Sequence, residues 1–276
     1  DAQESRGLGD VYKRQVYHPE QVRPGNPEYE RARRLMAAEA NAAIAGAYDA
    51  GASQVYVNDS HGAFRNMPPD LLDERAQAIQ GKPRYLSMVS GVELGMDGVC
   101  LIGYHSRAQG LGILAHTINS FAFARIAVDG RELGEAGLYG ALAGAYGAAV
   151  IMASGDDVFI EENRDLFPHT TWVQTKRATG ANSGISLSPA QSCAAIRAGV
   201  QQAVAGRSAC RPLLLAEAGK PLQITLQTQT TALADLFCQW PGLVRTAGDE
   251  LRFSAPDIES AVRMINSLSA MSSMLR

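Results

Sequence analysis

The sequence predicts an α/β protein built on a mostly parallel sheet, followed by a smaller C-terminal α+β portion. Two observations carry this prediction. Short apolar, β-branched runs alternate along the chain with longer segments of helical periodicity, as expected for parallel strands joined by helices. Hydrophobic residues account for 46% of the 276 residues, which is enough to bury a substantial core.

The first helix is predicted to begin at Pro27 and to end before Gly51. Asn26 is a suitable N-cap, proline is favoured at the first helical position, and glycine is common directly after a helix. The apolar runs Gln54–Val57 and Val99–Gly103 are predicted to be the strands that follow. The first third of the chain therefore has an alternating order of helix and strand.

A hairpin and further alternating elements are predicted in the rest of the chain. Apolar and polar residues alternate over Phe121–Val128, and Asp129-Gly130 is a strong two-residue hairpin turn. The remaining predicted elements, in order, are helix Glu135–Tyr146, strand Ala149–Ala153, a helix opened by Gly155-Asp156-Asp157, strand Thr170–Thr175, helix Pro189–Ala205 with Ser188 as its cap, strands Leu222–Gln227 and Leu251–Ser254, and helix Pro256–Met271.

The chain is predicted to divide into three parts. Residues 1–15 carry scattered charges without an apolar stripe and are expected to be a non-native or disordered leader, either a solvated natural tail or a fusion scar. Residues 16–210 form the predicted catalytic α/β domain. Residues 211–276 form the C-terminal α+β portion, which is either a small second lobe or an extension of the same sheet.

Composition argues against several classes of partner. A net charge of −3 gives no electrostatic reason to expect nucleic acid or an anionic membrane as a partner. No uninterrupted apolar stretch approaches the ~18 residues of a membrane span. The four cysteines are widely spaced and include no Cys-x-x-Cys pair, so we expect reduced thiols in a cytoplasmic protein.

Three of the five histidines each follow a short apolar run. These are His61, His105 and His116. In open α/β sheets, ligands bind beyond the carboxyl ends of the strands, so side chains that leave those ends converge. Imidazole is the commonest metal ligand and titrates near neutral pH. The pattern indicates a metal-dependent or acid–base active site. The alternative for His61 and His105, each taken alone, is an ordinary strand-end loop, and for His116 it is a histidine packed by Ile113 and Leu114.

Carboxylates complete the set of candidate residues. Glu135 opens a predicted helix and is the best acidic metal ligand, although an acid at that position is also favoured by the helix dipole. Asp156 and Asp157 follow a strand and either cap the next helix or recognise a substrate ammonium group, and we favour capping. His18 and His169 are assigned to surface loops.

Motifs of other enzyme classes are absent from the sequence. No Gly-x-Gly-x-x-Gly motif joins a strand to a helix, and no Gly-Lys-Ser/Thr loop occurs. Ser60 lacks the Gly-x-Ser-x-Gly context of an α/β serine hydrolase. Nucleotide binding and serine-based hydrolysis are therefore disfavoured.

Short motifs spread along the chain carry a family resemblance. They are Tyr29-Glu30-Arg31-Ala32-Arg33, Glu39-Ala40-Asn41, Val57-Asn58-Asp59-Ser60-His61, Gly103-Tyr104-His105, His116-Thr117, Gly134-Glu135 and Gly155-Asp156-Asp157. In this order they resemble the zinc D-aminopeptidases that are encoded with bacterial dipeptide transporters. The resemblance runs from about Val16 to the C-terminus.

The resemblance implies a Rossmann-like, three-layer α/β subunit with two Zn²⁺ ions. His61, His105 and Glu135 would be metal ligands. His116 would be the catalytic histidine, as a proton carrier or as the nucleophile. A water activated by the two zinc ions would hydrolyse short peptides that begin with a D-amino acid. The subunits would form a homo-oligomeric ring, which is a decamer in the family.

The chain departs from the family at one place. The family begins with a strand that ends in Asp-x-Glu-Gly, whose acids bind both zinc ions, and no such segment precedes Val16. Asp1, Glu4 and Asp10 do not match its spacing and are assigned no role. We therefore expect poor metal binding and impaired hydrolysis in this chain. The alternative function is a catalytically inactive ring-forming scaffold or a peptide-binding protein.

Overall fold

The computed structural model describes residues 16–215 and 219–276, which form a mixed α/β fold. The predicted leader, with Asp1, Glu4 and Asp10, lies outside the described residues. The described helices are α1 (Pro27–Asp49), α2 (Glu135–Ala145), α3 (Asp157–Asn163), α4 (Pro189–Gly206), α5 (Thr231–Phe237) and α6 (Ile258–Met271). The described strands are β1 (Tyr56–Asn58), β2 (Gln77–Ile79), β3 (Val99–Tyr104), β4 (Phe123–Val128), β5 (Arg131–Glu132), β6 (Val150–Asp156), β7 (Thr171–Gly180), β8 (Ser183–Ser186), β9 (Leu222–Thr228), β10 (Val244–Arg245) and β11 (Glu250–Ala255). None of these helices combines the length and the apolar character needed to cross a bilayer.

Helix α1 confirms the predicted first helix and its cap. The side-chain oxygen of Asn26 accepts a hydrogen bond from the backbone N–H of Glu28 at 2.9 Å. Along its length α1 packs against α4. Gly46 lies at their closest approach, because a Cβ atom at this position would meet the backbone carbonyl of Arg197 on α4.

One sheet has the strand order β3-β6-β7-β8. Its first three strands are parallel, and β8 is antiparallel to β7. Along β6, Val150 belongs to the core cluster that includes α2, whereas Ile151 belongs to the cluster that includes α4. Successive side chains of a strand point to opposite faces, so α2 and α4 cover opposite faces of this sheet.

The larger sheet has the order β10-β11-β9-β4-β5 and is antiparallel throughout. The predicted hairpin is confirmed: Asp129 and Gly130 both have positive φ, as a type I′ turn requires, and they join β4 to β5. The prediction of a mostly parallel sheet is correct for β3, β6 and β7 and wrong here. Because β9 pairs with β4, the C-terminal strands extend a sheet that begins before residue 210. The domain division at that residue stays a prediction.

Most predicted elements differ from the structure by one or more residues at an end, and two of these differences have a clear physical reason. The first strand was predicted at Gln54–Val57, but β1 is shorter and begins later, where it pairs in parallel with the unpredicted β2. Helix α6 begins at Ile258 rather than Pro256, because Asp257 is its N-cap and accepts a hydrogen bond from the N–H of Ser260 at 2.7 Å. β2 has no apolar alternation strong enough to predict it from sequence.

The parallel sheet brings two functional segments to one edge. Tyr104, the last residue of β3, is the register partner of Gly155 near the end of β6. His105 and Asp156 follow these two residues and therefore leave the sheet side by side. This edge is the place where ligands bind in open α/β sheets.

Gly46→Ala is expected to destabilise the protein, because the added methyl group forces α1 and α4 apart. Overpacking of this kind costs about 1–3 kcal/mol, so the midpoint of thermal unfolding should fall. Gly206→Ala is the matched control, since Gly206 ends α4 at φ −93° and a Cβ there meets nothing within 4 Å. The control midpoint should stay constant or rise, because alanine restricts the unfolded chain. Equal midpoints for Gly46→Ala and the unaltered protein would contradict this packing argument.

Candidate metal centre

Three of the predicted site residues meet in one buried cluster. One ligand atom from each of His105, His116 and Glu135 lies within 4.8 Å of the others. His105 Nε2 is 3.3 Å from Glu135 Oε2, and His116 Nε2 is 3.8 Å from Glu135 Oε1. The two imidazole rings stack with their centroids 4.3 Å apart and their planes 11° apart. Each carboxylate oxygen therefore faces a different histidine.

Helix α2 holds the carboxylate of this cluster in place. Glu135 is its first residue, and the residues from Glu135 to Gly144 are all buried. Glu135 Oε1 also accepts a hydrogen bond from the backbone N–H of Ile118 at 2.6 Å. A Cβ atom at Gly140 would meet the ring of Phe167, and one at Gly144 would meet the carbonyl of Leu213. The helix is thus packed too closely to shift along its axis.

Backbone carbonyls define the tautomers of both histidines. His105 Nδ1 lies 2.8 Å from the carbonyl oxygen of Ser106, and His116 Nδ1 lies 2.7 Å from that of Leu114. A carbonyl can only accept, so we assign the ring proton to Nδ1 in each case. Both Nε2 lone pairs then point to the Glu135 carboxylate. Lone pairs and a carboxylate repel one another unless a proton or a cation lies between them.

The residues of this cluster fit a zinc ion. Imidazole nitrogen and carboxylate oxygen are ordinary zinc ligands, and a hydrogen bond from the second ring nitrogen to a carbonyl is the usual support for a metal-binding histidine. Burial adds to the fit, because His105 is 3% exposed and Glu135 is 1% exposed. A buried carboxylate requires a partner of positive charge or strong hydrogen bonds.

His61 is placed beside a different carboxylate. It follows β1, and its Nδ1 is 3.7 Å from Asp59 Oδ1, outside the group of three. Asp59 is almost fully buried and accepts a hydrogen bond from the N–H of Met67 at 2.7 Å. Burial alone would raise the pKa of Asp59, but the hydrogen bond and charge of His61, with backbone N–H bonds, lower it to about 2. Asp59 therefore stays ionised and anchors the His61 loop.

Two basic side chains that the sequence analysis did not identify brace the same loop. Arg84 donates to the carbonyl of Asp59 at 2.6 Å, and Lys82 donates to the carbonyl of Gly62 at 2.7 Å. Burial lowers the pKa of both groups. Neither residue belongs to a recognisable motif, so no sequence signal could have found them.

The loop between His105 and His116 is fastened to α3. Asp156 accepts hydrogen bonds from the N–H of Phe159 at 2.8 Å and from the N–H of Ile113 at 2.9 Å. Capping by Asp156, as favoured from the sequence, is therefore confirmed, and the same side chain also holds the loop. The assignment of His18 and His169 to surface positions is confirmed as well, since both are exposed.

Comparisons with known proteins agree on one family. Residues 14–267 match the family described as D-aminopeptidase. A D-aminopeptidase of Bacillus subtilis (strain 168) is 30% identical over 241 residues, which cover 87% of this chain and 86% of that protein. The solved structure described as the Zn-dependent D-aminopeptidase DppA from Bacillus subtilis, a self-compartmentalizing protease, superposes with a TM-score of 0.91. It is 26% identical, and the match covers 96% of each chain.

Glu135→Gln is expected to weaken zinc binding strongly, because it removes the one charged group of the cluster while keeping its shape. We expect a loss larger than the 10–100-fold that follows removal of a group supporting a ligand. Glu259→Gln is the matched control, since Glu259 also lies in the first turn of a helix but on α6. Zinc affinity is measured by competition with a chromophoric chelator. Equal affinities for the two variants would contradict a metal centre at Glu135.

Proposed function

Because this chain belongs to the family of D-aminopeptidases, we propose that it is a zinc-dependent aminopeptidase for short peptides that begin with a D-amino acid. The observation that carries the proposal is the buried convergence of His105, His116 and Glu135. The zinc dependence named for the solved relative supports the same metal here. The scaffold alternative receives no support from these relatives.

We propose His61, His105 and Glu135 as the metal ligands and two zinc ions per subunit. His105 and Glu135 are supported by their distance of 3.3 Å and by the hydrogen bond that orients His105. His61 is supported by the anchored loop that follows β1, and it would serve the second ion. When bound, zinc polarises the scissile carbonyl and lowers the pKa of a water molecule.

We propose that His116 moves the proton that hydrolysis requires. Its Nδ1 is held by the carbonyl of Leu114, so Nε2 is the atom that can accept a proton and later donate it to the leaving amine. His116 lies beside Glu135 at 3.8 Å, and the carboxylate stabilises the imidazolium that forms. The low exposure of the cluster keeps bulk water away from the reacting groups.

Several wider features are part of the same proposal. We propose a decameric ring, supported by the self-compartmentalizing relative, and a cytoplasmic location, supported by four cysteines that are all free. We propose that the β3-β6-β7-β8 sheet with its helices is a Rossmann-like core within a catalytic domain of residues 16–210. The expected impairment concerns residues 1–15, which lie outside the described residues.

Hydrolysis of D-alanyl-glycine and L-alanyl-glycine tests the proposed function directly. The zinc-loaded protein is expected to release D-alanine faster than L-alanine, and a chelator should abolish the release. The assay is repeated with an Asp-x-Glu-Gly segment added ahead of Val16, which tests the expected impairment. If that version binds two zinc ions and cleaves neither peptide, the aminopeptidase proposal is wrong. Equal rates on both peptides would refute the D-specificity.

A zinc count separates the roles proposed for His61 and His116. His61→Ala is expected to bind one zinc fewer per subunit than the unaltered protein. His116→Ala should keep the full zinc content while its kcat falls by about 10²–10⁴-fold, the usual contribution of a general base. His169→Ala is the control, because His169 is exposed. Loss of zinc from His116→Ala would instead identify His116 as a ligand.

A further inference from the structure

Glu162 on α3 accepts hydrogen bonds from both the backbone and the side chain of Arg107, in the segment that follows His105. Its two carboxylate oxygens lie 3.0 and 3.1 Å from the backbone N–H of Arg107 and accept from it. Its Oε2 also accepts from the guanidinium Nη1 of the same residue at 2.9 Å. The Glu162 side chain is 12% exposed. One side chain therefore binds both the backbone and the charge of a residue two positions from a candidate ligand.

The same arginine reaches the segment that leads into Glu135. Arg107 Nε donates to Glu132 Oε2 at 3.0 Å. Between them, Gly134 packs directly on Arg107: a Cβ atom at Gly134 would lie 3.1 Å from Arg107 Cβ and 3.0 Å from Glu162 Oε1. The residue before Glu135 and the residue two after His105 are thus in van der Waals contact. This contact joins the two segments that carry the candidate ligands His105 and Glu135.

The other end of the loop is closed independently. Asp156 accepts from the N–H of Ile113, and Thr117 Oγ1 accepts from the N–H of Ala108 at 3.0 Å. The Ile113 end is therefore fixed by Asp156, and the His105 end is tied to Thr117 through Ala108 and to α3 through Glu162. Removal of the Glu162 carboxylate would leave the Arg107 end of the loop without its contact to α3.

We propose that Glu162 is a positioning residue for the metal centre, which it serves by holding Arg107 so that His105 Nε2 stays 3.3 Å from Glu135. The inference rests on the proposed function only in taking His105 and Glu135 as zinc ligands. Glu162 does not touch the substrate or the metal; it acts through the backbone of Arg107. Groups that hydrogen-bond a metal ligand directly typically contribute 10–100-fold to metal affinity, and we expect the loss of Glu162 to fall in that range.

An effect of Glu162 on metal binding could also come from its charge rather than from its contact with Arg107. Burial raises the pKa of this carboxyl group, and the hydrogen bonds and charge of Arg107 oppose that rise. A carboxylate in this position also adds negative potential near His105, which would attract a cation without any effect on geometry. The glutamine variant separates the two effects, because its amide oxygen still accepts from the Arg107 N–H but carries no charge.

The test compares Glu162→Ala, Glu162→Gln and the neighbouring control Glu161→Ala, whose side chain is 84% exposed. Zinc affinity and the visible absorption spectrum of the Co²⁺-substituted protein are measured for each. Glu162→Ala is expected to lose about 10–100-fold in zinc affinity and to shift the cobalt bands. Glu162→Gln should recover much of both properties, and Glu161→Ala should match the unaltered protein.

Two results would overturn the proposal. The first is a folded Glu162→Ala protein with unchanged zinc affinity and an unchanged cobalt spectrum. The second is a Glu162→Gln protein as impaired as Glu162→Ala, which would assign the effect to charge. If Glu162→Ala does not fold, Gly134→Ala provides the test, since its methyl group presses on Arg107 and on Glu162 Oε1 and disturbs their contact while both side chains are kept. Unchanged cobalt bands in that variant would overturn the proposal as well.

These readouts separate this inference from the proposed function. If the protein lacks D-peptidase activity but the Glu162 variants alter metal binding as expected, the positioning role stands and the function is wrong. If the activity is present and the Glu162 variants bind metal normally, the positioning role is wrong and the function stands.

Discussion

The buried negative charge of Glu135 is the constraint on which the site depends. A carboxylate removed from water is unfavourable unless cations or strong hydrogen bonds surround it, and here the backbone N–H of Ile118 donates to it while two imidazoles lie beside it. Both imidazoles turn an Nε2 lone pair towards the carboxylate, because backbone carbonyls hold their other nitrogens. In the proposed site, a zinc ion held by His105 and Glu135 would compensate the charge of the carboxylate, and His116 would lie beside it to carry a proton. The need for positive charge beside this buried carboxylate therefore favours a metal site.

The fold supplies this arrangement by fixing each group from a different direction. His105 directly follows β3 at the edge of the parallel sheet. Glu135 is the first residue of α2, which packs on one face of that sheet, and it lies beside His105. His116 arrives on a loop that has no regular structure of its own. That loop is nevertheless held by Asp156 at the end of β6 and by Glu162 on α3. These contacts restrict the loop that carries His116, whose Nε2 lies 3.8 Å from Glu135 Oε1.

The candidate ligands could be predicted from the sequence because each is marked by the few residues on either side of it. His105 follows a strand, Glu135 opens a helix, and Asp156 caps one, and each of these patterns can be recognised within a few residues. The contact between Arg107 and Glu162 spans 55 positions and belongs to no motif, so only the folded chain reveals it. The antiparallel sheet was missed for a related reason, because the pairing of β9 with β4 depends on the fold of everything between them. His105, His116 and Glu135 were all candidates from the sequence, whereas the groups that orient them were not, and His61 lies outside their cluster.

The close packing of α2 affects how relatives of this protein can diverge. Gly140 and Gly144 face Phe167 and the carbonyl of Leu213 with no space for a larger side chain. A lineage that acquires a different substrate or a different metal preference must therefore change the surrounding loops and leave this helix as it is. The segments around His61 and between His105 and His116 are the parts of the molecule where substitutions can change the substrate or the metal preference.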